Sequence, residues 1–132
     1  MVINRQIANQ GLYGSSTQEQ AQIDVICEGW LEVWQKFSQA KSSPKDVQAD
    51  NLEIFRNETI PQWLGYLNVL LAKNKGGHGF FFGNNVSCAD ILGYLVCDHL
   101  WNQFIDEFNK FPLLLAHYSR FQVTRISISC CN

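Results

Sequence analysis

The chain has 132 residues, of which 46% are hydrophobic and 13% aromatic, and its formal net charge is −2. This length suits one domain with a sizeable core. Its 10 basic and 12 acidic residues argue against nucleic-acid binding, and no run reaches the roughly 18 apolar residues of a membrane span. The five cysteines lack metal-ligand spacing, so we expect a reducing, cytoplasmic setting and no metal site.

The first predicted helix covers residues 18–40 and begins with the capping box Ser16-x-x-Glu19. A single apolar stripe recurs every three or four residues, at Ile23, Ile26, Trp30, Val33, Trp34 and Phe37. Three acidic residues lie four apart on another face, at Asp24, Glu28 and Glu32. From spacing alone, this acidic face is either merely solvated or part of a site.

The remaining pattern is also helical. A second region runs from 46 to 72, with a kink or restart at Pro61, and its clearest apolar stripe consists of Ile60, Trp63, Leu64, Leu67 and Leu71. A glycine-rich loop follows at 74–79. An almost wholly apolar helix is predicted at 88–103, with a short continuation after it and a last helix starting at Phe111-Pro112. The tail at 126–131 alternates like a strand, although no partner strand is evident. The predicted fold is an all-α bundle.

A capping box and a hydrophobic staple are predicted at the start of the apolar helix. Ser87 and Asp90 have the spacing at which each side chain can bond the other residue's backbone N–H. Val86 and Ile91 occupy the positions of a staple, in which two apolar side chains fix the direction of the incoming chain. These four residues are assigned a structural role.

Three segments together resemble the helical C-terminal domain of the cytosolic glutathione S-transferases. The first consists of Phe82, Gly83, Val86, Ser87, Ala89 and Asp90. The second is Gly11-Leu12-Tyr13-Gly14 with the later Gln20-Ala21-Gln22-Ile23-Asp24, and the third is Phe111-Pro112-Leu113-Leu114. The resemblance is to the sigma, pi and alpha classes. It implies a bundle of about five to six helices over residues 12–132, preceded at 1–11 by a remnant of another domain's last helix and a linker.

The resemblance also implies a reaction, conjugation of glutathione to hydrophobic electrophiles. In that family an N-terminal thioredoxin-like domain supplies the hydroxyl that stabilises the thiolate, and Tyr13 matches the interdomain junction instead. We therefore expect a truncated transferase with no catalytic residue and little or no activity alone. Glutathione would be a co-substrate, and no cofactor is implied.

The resemblance assigns two kinds of binding residue to the first helix. Glu32 matches the acidic residue that reaches across a homodimer to the γ-glutamyl ammonium of glutathione. Gln35 and Gln39 face the position of the electrophile, although amides suit an apolar substrate poorly.

The alternative is a non-enzymatic helical protein–protein interaction module, in which an apolar face binds another protein or a second copy.

Two weaker candidates for a functional site are Cys88 and the histidines, and neither is favoured. Cys88 lies at a helix start, but a buried packing role is favoured because the Asp90 charge opposes a thiolate. The histidines His78, His99 and His117 have no metal-ligand spacing.

Overall fold

The structure is a computed structural model that describes the backbone of residues 13–131 and the side chains of residues 13–122. The described part contains six α-helices and no strand: α1 Thr17–Lys41, α2 Lys45–Ile54, α3 Ile60–Lys73, α4 Cys88–Leu100, α5 Ile105–Phe108 and α6 Pro112–Cys131. The predicted all-α bundle is therefore confirmed. No helix in this part of the chain is long and apolar enough to cross a membrane.

Helix α1 begins at a side-chain cap and buries one face. The Ser16 hydroxyl oxygen accepts a hydrogen bond from the Glu19 backbone N–H at 3.2 Å, which satisfies a donor that the helix start leaves open. The predicted stripe faces the core, with Ile23, Trp30 and Val33 almost fully buried. The helix packs mainly against α4 and α3.

Pro61 lies in the first turn of α3, where the α-helix restarts after a π-helical turn. A π-helical turn at Phe55–Thr59 joins α2 to α3 without a gap, and the Ile60 N–H donates to the carbonyl of Phe55, five residues back. Proline lacks an N–H and its ring crowds the carbonyl four residues earlier. The wider π turn accommodates this crowding while the chain stays helical.

Helix α4 is the central helix of the bundle. It packs against α1 on one side and α6 on the other. It contacts α1 closely because Gly93 has no side chain, and a Cβ there would lie 2.8 Å from Trp30 Nε1. The helix ends at Leu100, earlier than the predicted 103, and residues 101–103 form a turn.

The last helix, α6, stays helical through Cys131, so the strand-like reading of residues 126–131 is wrong. An alternating pattern specifies a strand only where a second strand can pair with it. The described residues offer no such strand. The predicted helix remnant and linker at 1–11 lie outside the described residues.

Candidate functional site

Glu32 and Gln35 line one concave site on the outer flank of α1 and α3. The cavity has a volume of about 510 Å³, and Glu28 also lines it from α1, while Trp63 and Tyr66 line it from α3. The helical spacing of four residues places Glu28 and Glu32 on the same face. We call this cavity the Glu32 cavity.

The chemistry of the Glu32 cavity suits a cationic group. Glu32 is half-buried and Glu28 is exposed, so a bound ammonium would meet negative charge without the full cost of burying it. The Trp63 and Tyr66 rings meet edge to face, with centroids 6.2 Å apart. Aromatic rings attract cations through their faces, and carboxylates form charge-assisted hydrogen bonds with an ammonium.

Gln39, the other residue assigned to the electrophile, lines a different cavity. This second cavity, of about 230 Å³, lies beside the π-helical turn and is also lined by Lys36, Asn51 and Phe55. Gln35 and Gln39 are both exposed. The structure therefore brings Gln35 together with Glu32 and leaves Gln39 apart from them.

Asp90 is the hub of a buried hydrogen-bond network at the start of α4. Its Oδ2 accepts from the Ser87 N–H at 2.9 Å and from the Ser87 hydroxyl at 3.3 Å, and the two residues form a capping box. Its Oδ1 accepts from the Phe81 N–H at 2.9 Å and from His117 Nε2 at 2.8 Å. Asp90 thus fastens the loop before α4, the helix start and α6 to one another.

The His117 ring completes this network from α6. It is 2% exposed and lies between the rings of Phe81 and Phe121, each with its centroid 4.8 Å away. The sequence gives no signal for this pairing, because His117 follows Asp90 by 27 residues. The staple contact between Val86 and Ile91 stays a prediction, and Ile91 is 39% exposed.

Tyr13, which precedes α1 in the chain, forms a second polar contact with Asp24 of that helix. The Tyr13 hydroxyl donates to Asp24 Oδ2 at 2.5 Å. This hydrogen bond, with some burial and the Asp24 charge, raises the pKa of Tyr13 to about 12. The hydroxyl is therefore committed to Asp24 and holds its proton more firmly than an ordinary tyrosine.

Among residues 13–122, whose side chains the structure describes, the cysteine thiols are buried and free: Cys27, Cys88 and Cys97. Burial raises the pKa of all three, to about 12 for Cys27, where the nearby Cys88 contributes next. Such thiols are poor nucleophiles. Within the described residues no group of three His, Cys, Asp or Glu side chains could hold a metal ion.

Sequence reasoning missed the aromatic wall of the Glu32 cavity. The pattern places Trp63 in the apolar stripe of α3, yet its side chain is only half-buried and lines the cavity. Tyr66 lies outside that stripe and is 43% exposed. The available signal for this wall was Tyr66, an aromatic residue one position before Leu67 of the core stripe.

Comparisons with known proteins place the chain in a family. The family described as "Glutathione S-transferase, C-terminal domain" matches residues 29–125. A glutathione S-transferase of Plasmodium falciparum is 30% identical over 108 residues, covering 79% of this chain and 49% of that protein. The S-crystallin SL11 of Nototodarus sloanii is 22% identical over 121 residues, covering 91% of this chain and 59% of the relative.

Solved structures share the fold. A pi-class glutathione S-transferase of Onchocerca volvulus superposes with a TM-score of 0.77 at 23% identity, covering 88% of this chain and 54% of that chain. The chain spans about half the length of the curated relatives it matches. It belongs to the glutathione S-transferase C-terminal domain family.

Proposed function

We propose that this chain forms the helical half of a glutathione S-transferase site. In this proposal Glu32 binds the γ-glutamyl ammonium of glutathione across a homodimer, and the complete enzyme conjugates glutathione to hydrophobic electrophiles in the cytoplasm. The observation that carries the proposal is the Glu32 cavity, where a half-buried carboxylate and two aromatic rings face outward on one flank of the bundle. Such a flank is available to a second subunit.

The electrophile contacts proposed for Gln35 and Gln39 are weak ones. Both side chains are exposed amides, and they line separate cavities. Amides lose hydrogen bonds to water when an apolar group covers them. We therefore expect loose selection among electrophiles from this half of the site.

We further propose that the 132 residues alone conjugate glutathione slowly or not at all. A transferase needs a hydroxyl that donates to the glutathione sulfur and so favours the thiolate. Tyr13 is a poor candidate because its hydroxyl already donates to Asp24. A raised pKa also makes it a weaker hydrogen-bond donor.

A glutathione titration of the purified chain, followed by NMR, tests the role of Glu32. Glu32→Gln keeps the shape of the side chain and removes its charge, so we expect glutathione affinity to fall about tenfold, the strength of a charge-assisted hydrogen bond. Glu58→Gln is the matched control, because Glu58 is exposed and lies outside the cavity. Equal affinity of the two variants would refute the assignment.

A conjugation assay with a general aromatic halide tests the proposal that the chain alone conjugates glutathione slowly or not at all. We expect turnover close to the uncatalysed rate for the chain alone. Turnover comparable to an intact transferase would overturn the proposal that the chain alone has little or no activity.

Analytical ultracentrifugation tests the homodimer. Tyr66 and Val69 are 43% and 52% exposed on α3, and apolar side chains clustered on a surface favour association. We expect a dimer at micromolar concentrations that Tyr66→Glu dissociates. A monomer at high concentration would contradict this.

A non-enzymatic interaction module is the second candidate. Ile91 and Leu95 lie one turn apart on α4 and are 39% and 48% exposed, which gives the chain another outward apolar face. Under this alternative the chain binds a protein partner and shows no affinity for glutathione, with or without Glu32. The titration above separates the two functions.

A further inference from the structure

The cavity beside the π-helical turn is lined by several hydrogen-bond donors. It has a volume of about 230 Å³ and lies between the last turns of α1, helix α2 and the turn at Phe55–Thr59. Four of its side chains carry a donor group: Lys36, Gln39, Asn51 and Thr59. The described residues that line it include no acidic side chain. We call it the π-turn cavity.

Lys36 supplies the positive charge of the π-turn cavity. Its side chain is exposed, and among residues 13–122 it forms no ion pair. Glu32 lies one turn earlier on α1, a spacing that allows an ion pair, but its side chain lines the Glu32 cavity instead. The Lys36 ammonium is therefore available to an anion.

The three uncharged donors of the cavity are available as well. Within the part of the chain whose side chains are described, those of Gln39, Asn51 and Thr59 form no hydrogen bond to the protein. Asn51 and Thr59 are also half-buried, so their polar groups are partly withdrawn from water. Polar groups in such a position gain from a ligand that accepts their hydrogen bonds.

The floor of the π-turn cavity is rigid. The Phe55 ring that forms it is 2% exposed and packs against the rings of Phe37 and Phe104, with centroids 5.5 and 5.2 Å away. Thr59 follows at the end of the same π-helical turn, a feature that is frequent at functional sites. A site built on a packed core needs little reorganisation to accept a ligand.

We propose that the π-turn cavity binds a phosphoryl group, as inorganic phosphate or as the head of a small hydrophilic phosphate monoester. The Lys36 ammonium pairs with the phosphoryl oxygens, and Gln39, Asn51 and Thr59 donate hydrogen bonds to them. A phosphoryl group carries negative charge and several strong acceptor oxygens, which matches four donors without a carboxylate. The site is independent of the glutathione proposal, because Glu32 does not line it.

An NMR titration of the whole isotope-labelled chain tests the site. Its two arms are sodium phosphate and glycerol phosphate, and its controls are glycerol and sodium chloride at matched ionic strength. We expect saturable shifts in the side-chain amides of Gln39 and Asn51 and in the backbone around Thr59, in the phosphate arms only. Tighter binding of glycerol phosphate would identify an ester as the ligand, and equal affinity would identify free phosphate. No saturable shift, or the same shifts with chloride, would overturn the proposal.

Charge variants at Lys36 test the ion pair. Lys36→Gln should weaken phosphate binding about fivefold, the upper scale of an exposed ion pair, while Lys36→Arg should keep most of it because the charge remains. Lys110→Gln removes the same charge at an exposed lysine outside the cavity and should leave binding unchanged. Equal affinities of Lys36→Gln and Lys110→Gln would place the phosphate elsewhere and refute the assignment.

A hydroxyl deletion tests the uncharged donors separately. Thr59→Val keeps the shape of the side chain and removes its hydroxyl, so phosphate binding should weaken about threefold, the scale of one hydrogen bond. Thr17→Val is the matched control, at an exposed threonine at the start of α1 and outside the cavity. Equal binding by the two valine variants would contradict a donor role for Thr59.

Discussion

The Asp90 carboxylate accepts more hydrogen bonds than a helix cap requires. A cap of the Ser87–Asp90 type contributes about 1 kcal/mol, whereas this carboxylate also accepts from Phe81 and His117 in the core. A fully buried carboxylate is tolerated because each oxygen is satisfied. The residue therefore ties together three segments that are distant in sequence.

Asp90→Ala should lower the free energy of unfolding by about 3–5 kcal/mol, because it leaves a buried histidine and two backbone donors without their acceptor. Urea unfolding followed by circular dichroism measures the change. Asp106→Ala, at an exposed acidic position on α5, should change stability by less than about 0.5 kcal/mol. A loss of only about 1 kcal/mol for Asp90→Ala would mean that the cap is the sole contribution.

Gly93 is the residue that permits close packing of α1 against α4. Gly93→Ala should destabilise the protein by about 1–3 kcal/mol, because the new methyl group meets the buried Trp30 ring at 2.8 Å. Gly65→Ala is the control, since its Cβ would lie 3.8 Å from Phe111, an ordinary contact. That variant should be neutral or stabilising by up to about 1 kcal/mol, since alanine favours a helix. Thermal unfolding of both variants checks the contrast.

At the scale of elements, each helix start has its own local cause. Helix α1 uses the Ser16 cap, and the Glu19 carboxylate accepts in return from the Ser15 N–H at 2.7 Å. The Ser15 hydroxyl and N–H together lower the pKa of Glu19. Helix α3 instead continues from the π-helical turn that absorbs Pro61. The sequence pattern predicted the capped start of α1. It did not predict the π-helical turn that connects α2 to α3.

Ser16→Ala should cost about 1 kcal/mol in the free energy of unfolding, because the Glu19 N–H loses its acceptor. Ser119→Ala is a suitable control. Ser119 lies inside α6 and donates to the Leu115 carbonyl four residues back, a contact that contributes little to a helix. Equal losses from the two substitutions, measured by urea unfolding, would contradict the capping role of Ser16.

At the scale of the molecule, the buried acids of the core link stability to alkaline pH. Burial raises the pKa of Cys27, Cys88 and Cys97, and burial together with the Asp98 hydrogen bond raises that of Tyr118. The unfolded chain releases these protons at lower pH than the folded chain does. Folding therefore loses free energy as pH rises above the unfolded thiol value of about 8.5.

Stability should be nearly constant up to about pH 8 and then fall as pH approaches 12, the folded pKa of Cys27. Cys27 contributes a loss of about 1 kcal/mol per pH unit within that window. Urea midpoints at pH 8 and pH 10 measure the slope, and Cys27→Ala should reduce it by one thiol's share. An unchanged slope in this variant would show that Cys27 ionises normally in the folded chain.

The sequence by itself determined the helical fold, because helix formation depends on local periodicity and on caps such as Ser16 and Ser87. It also determined that Glu28 and Glu32 share a helix face, since residues four apart always do in an α-helix. Only the tertiary structure decided which side chains of different helices contact one another. It paired His117 with Asp90, set Trp63 and Tyr66 beside Glu32, and separated Gln39 from Gln35. Those outcomes depend on packing between distant segments, which no local pattern encodes.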